Sequence, residues 1–145
     1  MRLILSAIAA TLIAACNQTS VAASERAAVT APAEDTRVLA VLSYAEWCGS
    51  CKVLDPKIEA IQSTNTFEGV AFATIDFTSR DKDAFYADAE TLGIGETMRT
   101  KFGEKIKTGQ LFLVALDTGE IVSTIDKSMD DAAIIAAITE ASAGA

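Results

Sequence analysis

The chain carries three cysteines and no histidine. Two of the cysteines, Cys48 and Cys51, lie in Tyr44-Ala45-Glu46-Trp47-Cys48-Gly49-Ser50-Cys51-Lys52, between a segment that reads as a strand and one that reads as a helix. At a helix N-terminus a sulfur faces backbone N–H groups that have no intrahelical acceptor, together with the positive end of the helix dipole. Both stabilise thiolate over thiol. Two intervening residues on the first turn keep the second sulfur within bonding reach, so a mixed disulfide formed at the first is resolved from within the chain. Cys48 is therefore expected to be the more exposed, more acidic, attacking thiol and Cys51, one turn inside the helix, the resolving one. Other uses of such a pair are a persistent structural disulfide, half of a zinc site, or thiol-based handling of a soft metal such as copper(I). Zinc lacks ligands here, because tetrahedral sites need four donors and the chain has neither histidine nor a second cysteine pair. Met98 and Met129 are more simply packing residues than metal ligands. No metal and no cofactor beyond the Cys48–Cys51 disulfide is expected.

The neighbours of the pair have alternative readings. Trp47 either touches substrates or covers the first strand, and Lys52 either supports thiolate electrostatics or lies on a solvated helix face. The missing histidine removes the usual general base of hydrolases and every Cys-His or Ser-His arrangement. No spacing among the carboxylates singles out an acid–base pair. A net charge of −8, or −9 once Arg2 is removed by processing, makes nucleic acid a poor partner.

The elements that must position the pair follow from apolar periodicity. Residues Arg37 to Tyr44 contain a short apolar run suited to a buried parallel strand, and Cys48 to Ile61 places Val53, Leu54, Ile58 and Ile61 at helical spacing. Val70 to Phe77 reads as a second strand, and Arg80 to Leu92 as a helix with Phe85, Ala89 and Leu92 on one side. The acidic residues Asp81, Asp83, Asp88 and Glu90 form its solvated face. After Gly93 and Gly95, a shorter helix is expected over Glu96 to Phe102. Gln110 to Leu116 and Ile121 to Ile125 read as strands joined by the turn Asp117-Thr118-Gly119-Glu120. Ser128 with Asp131 resembles a capping box opening a last helix, Asp130 to Ala141. The main order is β-α-β-α-β-β-α, an α/β fold with a mixed β-sheet and helices on both faces.

Ahead of this domain, Met1 to Ala15 reads as an export segment, with Arg2 followed by an apolar run too short to span a membrane. It ends in Ile13-Ala14-Ala15-Cys16, which resembles a bacterial lipobox. On that reading Cys16 is lipidated and anchors the protein to a membrane, and Asn17 favours the outer one. The alternative is cleavage after Ala23, with Cys16 discarded. Residues 16–36, rich in Ala, Ser and Thr, read as a flexible tether before the domain at 37–145.

The cysteine segment resembles the thioredoxin family, whose motif is Trp-Cys-Gly-Pro-Cys-Lys on the same strand-to-helix turn. The resemblance extends to Ala45-Glu46-Trp47, to Pro56 where the family bends its first helix, to the element order, and to Thr118-Gly119-Glu120. It implies a thioredoxin-like fold and a thiol-disulfide oxidoreductase of the bacterial cell envelope. Its partners would be protein thiols and disulfides or an upstream redox carrier. The sequence departs from the family at three positions. Leu42 replaces the buried acid, Phe72 replaces its lysine partner, and Leu111 falls where the family places a cis-proline. A drier floor beneath the pair and an altered substrate edge at Gln110 and Leu111 are the expected results, with a trans Gln110–Leu111 bond. A thioredoxin-fold binding module with a structural disulfide is the alternative reading.

Overall fold

A computed structural model describes residues 28–145. The export segment, Cys16 and the alternative cleavage after Ala23 lie outside the described residues. Four strands and four helices follow one another as β1 (Val38–Tyr44), α1 (Cys51–Thr64), β2 (Val70–Asp76), α2 (Lys82–Thr91), α3 (Gly95–Phe102), β3 (Gln110–Ala115), β4 (Glu120–Asp126) and α4 (Asp131–Gly144). The strands form one mixed sheet in the order β2-β1-β3-β4. β1 is central, parallel to β2 and antiparallel to β3, and β3 and β4 form the antiparallel hairpin.

Burial explains the central place of β1. Its first six residues are buried, and alternation sends Leu39 and Val41 to one face of the sheet and Val38, Ala40 and Leu42 to the other. The face holding Leu39 and Val41 is covered by α2 and α3 and filled with aromatic side chains: Phe77, Phe85, Tyr86, Phe102 and Phe112. Their rings meet edge to face, from Phe77 on Phe85 at 5.7 Å to Phe102 on Phe112 at 5.5 Å between centroids. The buried side chains of the other face are aliphatic, with the rings of Tyr44, Phe67 and Phe72 partly buried against them. There α1 contributes Leu54, Ile58 and Ile61, and α4 contributes Ile134 and Ile138.

Several local boundaries differ from the sequence expectation. α1 starts at Cys51, and Val53 is 48% exposed. The buried stripe runs through Cys51, Leu54, Ile58 and Ile61, a spacing that leaves position 53 on the opposite side. β2 is an edge strand with one fully buried residue, Ile75, because β1 pairs it on one side only. The last helix is opened by Asp130, whose side chain accepts the Ala133 N–H at 2.8 Å. Ser128 instead gives its own N–H to Asp126. Residues 28–36 contain neither helix nor strand, yet Val29 packs against the aromatic face beside Ala71 and Ala73. No described helix is long and apolar enough to cross a membrane.

Candidate redox site

β1 delivers the chain to the C-terminal edge of the sheet, where Ala45 to Ser50 turn into α1. Cys48 and Cys51 are joined as a disulfide with Cα atoms 5.3 Å apart, inside the usual range for such bonds. Cys48 stands two residues before Ser50, the N-cap of the helix. Its carbonyl accepts the Lys52 N–H at 3.3 Å, and its sulfur accepts the Cys51 N–H at 3.2 Å. Cys48 keeps 7% of its surface exposed and Cys51 none. The Cys51 sulfur lies 3.7 Å from the Ser43 carbonyl oxygen, behind its partner.

The expectation that Cys48 begins the helix with Cys51 a turn inside is thus corrected in detail. Cys48 lies two residues before the N-cap Ser50, and Cys51 is the first residue of the helix. The electrostatic consequence is kept, since the Cys48 sulfur still accepts the first N–H of the helix, one of those without an intrahelical acceptor. Gly49 and Lys52 are exposed, Ser50 is half-buried, and Pro56 sits within α1 with its ring in solvent.

Two loops close around the pair, and each is held by a residue that pattern alone did not single out. Ser43, the one buried polar residue among those described, donates its hydroxyl to the Lys107 carbonyl at 2.8 Å. Its own carbonyl accepts the Gly109 N–H at 2.7 Å. The 103–109 loop is therefore clamped to the end of β1. Gly109 has φ +85°, and a Cβ there would stand 2.6 Å from Ser50 Cβ and 3.1 Å from Cys48 Sγ. Only glycine allows the backbone this close to the sulfur.

At the expected substrate edge, Leu111 is 1% exposed and packs with Leu42, and Gln110 is half-buried. The backbone facing the sulfurs is that of Gly109. Counting back from the hairpin misses it because family spacing fixes where the strand should begin, whereas the Ser43 clamp fixes where the loop touches the cysteines. No peptide bond among the described residues is cis.

The second loop joins β2 to α2. Thr78 accepts the Glu46 N–H at 3.0 Å on its hydroxyl and is itself held by Asp76, whose carboxylate accepts the Thr78 N–H at 2.7 Å. The Trp47 indole donates to the Thr78 carbonyl at 3.1 Å and packs edge-on against Phe77. Trp47 stays 47% exposed, and the Arg80 guanidinium stacks on its ring at 4.4 Å. Trp47 is thus anchored to the second loop and does not cover β1.

The floor also differs from a purely dry one. Leu42 and Phe72 do line a cavity of about 380 Å³ between α1 and β2, but Asp55, Glu59 and Gln62 of α1 line it as well. Asp55 is half-buried, one helical turn beyond Cys51. Its spacing of four from Cys51 was the available signal. Among the described residues no cluster of three or more metal-ligating side chains occurs.

Comparison with known proteins gives one family. The Thioredoxin family model matches residues 20–108, more than half of the chain, and ends just before β3. Solved structures similar to this chain include StoA from Bacillus subtilis, at 19% identity over 70% of this chain and 81% of that one, with a TM-score of 0.49. A mutant thioredoxin from Halobacterium salinarum NRC-1 is 23% identical over 74% and 77%, with a TM-score of 0.46. Fasciola hepatica thioredoxin is 20% identical over 74% and 84%, with a TM-score of 0.46. No curated protein sequence matches.

Proposed function

The chain belongs to the thioredoxin family as an oxidoreductase-type member with a disulfide-capable CxxC pair, and from that premise we propose that it exchanges disulfides with protein partners in the bacterial cell envelope. One observation carries the reading: the sulfur of Cys48, a residue with 7% of its surface exposed, accepts the Cys51 N–H at the start of α1, while Cys51 is fully buried. In the reduced protein that N–H and the dipole of α1 favour the Cys48 thiolate. The thiolate attacks one sulfur of a partner disulfide, forming a mixed disulfide and releasing the partner's other sulfur as thiolate. Cys51 then gives up its proton and attacks the Cys48 sulfur, which closes the Cys48–Cys51 bond and releases the second partner thiol. Run backward, the same steps oxidise a partner dithiol.

The envelope assignment is supported by the export segment at Met1 to Ala15, and attachment to a membrane by the lipobox-like sequence ending at Cys16. Mass spectrometry of the mature protein is expected to find a lipidated N-terminal Cys16; an unmodified terminus at Ser24 would remove the anchor and leave the redox chemistry standing.

The chemistry is tested by single substitutions in a disulfide-exchange assay. Cys48→Ser should abolish turnover, whereas Cys51→Ser should accumulate the mixed disulfide with the partner, visible as a mass adduct. Alkylation of the reduced protein should modify Cys48 first, with a pH midpoint below the value of about 8.5 of a free cysteine. Equal inertness of the unmodified protein and Cys48→Ser toward proteins, small disulfides and carriers would leave the pair as a structural disulfide in a binding module.

A further inference from the structure

The chain is acidic overall, with 20 carboxylate residues against 12 cationic ones, yet three exposed cations from three separate segments flank the cysteine pair. Arg80 stands on the loop after β2, Lys107 on the loop before β3, and Lys52 on the first turn of α1, and all three are exposed. Ion pairs among the described residues join Lys57 to Asp131, Lys82 to Glu104 and Arg99 to Glu90. None includes Arg80, Lys107 or Lys52.

Several nearby carboxylates keep their charge but are oriented by contacts of their own. Asp76 accepts from Thr78, Asp81 accepts the Asp83 and Ala84 N–H groups at the start of α2, and Glu104 holds Lys82. Within Tyr44 to Lys52 the one carboxylate is Glu46. Arg80 is moreover held in place. Its guanidinium lies on the Trp47 ring at 4.4 Å, and its backbone has φ +62°, the one non-glycine residue among those described with positive φ. That conformation is strained for any side chain but glycine's, and such strain gathers where a residue's position serves a site. Trp47 adds an exposed aromatic face beside it.

We propose that Arg80, Lys107 and Lys52 form a docking rim for acidic protein segments, so that the preferred partners carry Asp or Glu beside the cysteines they exchange. The inference rests on the disulfide-exchange reading for its consequence in rate, but not for binding itself. Opposite charge at a rim raises the encounter rate and fixes orientation, and its effect falls as salt screens it. The rest of the acidic surface repels the same partners, which confines docking to the rim.

The test separates docking from chemistry because Trp47 is the sole tryptophan of the chain and lies in the rim. Its fluorescence is titrated with two cysteine-free peptides of equal length, one rich in Asp and Glu and one rich in Lys and Arg. The acidic peptide should bind at least several-fold more tightly at low salt, and the difference should shrink at about 1 M salt, where the Debye length is about 3 Å. Arg80→Gly, which relieves the backbone, combined with Lys107→Gln should cut the acidic advantage about threefold to tenfold, on the scale of two exposed charge contacts. Lys101→Gln, a charge loss beside the β3–β4 turn at the opposite end of the sheet, should leave the ratio near that of the unchanged protein. Disulfide-linked versions of the peptides, with a neutral small disulfide as reference, should show the same ranking in exchange rate. Equal binding of both peptides at low salt, or an equal effect of Lys101→Gln, overturns the rim. Failure to turn over any disulfide while the acidic peptide still binds overturns the exchange reading and leaves the rim in place.

Discussion

The two faces of the sheet are built from different materials and serve the cysteines differently. The face under α2 and α3 is a continuous set of aromatic rings, Phe77, Phe85, Tyr86, Phe102 and Phe112, in edge-to-face contact. Under α1 and α4 the buried side chains are aliphatic and the rings of Phe67 and Phe72 only partly buried, and the α1 residues Leu54, Ile58 and Ile61 continue the stripe that begins at Cys51. The first face has the larger side chains and so supplies much of the stability; the second holds the helix on which the sulfurs sit. Bulk and position have been divided between opposite sides of β1.

Five substitutions sharpen or break this division. Phe112→Ala should give the largest loss of stability, about 3–5 kcal/mol by urea unfolding, because a ring with no exposed surface leaves a cavity among other rings. The pH midpoint of Cys48 alkylation should stay where it was. Leu54→Ala should cost about 2–5 kcal/mol and shift that midpoint, since the first turn of α1 loses its anchor three residues from Cys51. An equal shift in both variants would show that the faces are not separable. Gly109→Ala should cost about 1–3 kcal/mol from backbone strain and slow the attack of Cys48 on large substrates, as the loop moves away from the sulfur. The helix caps give the smallest effects. Asp81→Ala and Asp130→Ala should each cost about 0.5–2 kcal/mol, with Asp81 toward the upper end because it accepts two N–H groups and Asp130 one.

Much of this was legible from the residues. The strand before Cys48 and the helix after it carry strong periodicity, and Phe85, Ala89 and Leu92 do line the buried side of α2. What could not be read is what depends on contact between distant segments. Ser43 is an ordinary small residue in a strand until its hydroxyl meets Lys107 across the site. Gly109 is one of eight glycines until the clamp sets it against Cys48. Leu111 was placed by counting from a turn, which fixes sequence position but not which face of β3 a residue takes. Ser128 and Asp130 compete for one cap within three residues, and the chain's direction after β4 decides between them. In Val53 the error was of phase: periodicity accepts it beside Leu54, but a helix beginning at Cys51 turns it to solvent.

The central position of β1 also governs the order in which the site can be completed as the chain folds. Cys48 and Cys51 are close in sequence and need little of the protein to find each other. The clamp is different, because Ser43 reaches Gly109 and Lys107 only when β3 has come back beside β1, with Val38 against Ala115 and Ser43 against Gln110. Pairings of that sequence separation close slowly, since the entropy of a long loop is lost before the contacts form. A chain interrupted before Ala115 holds both sulfurs and neither the third strand nor the carbonyl arrangement that orients them. The bond between the cysteines is thus available early, while the environment that tunes it matures last.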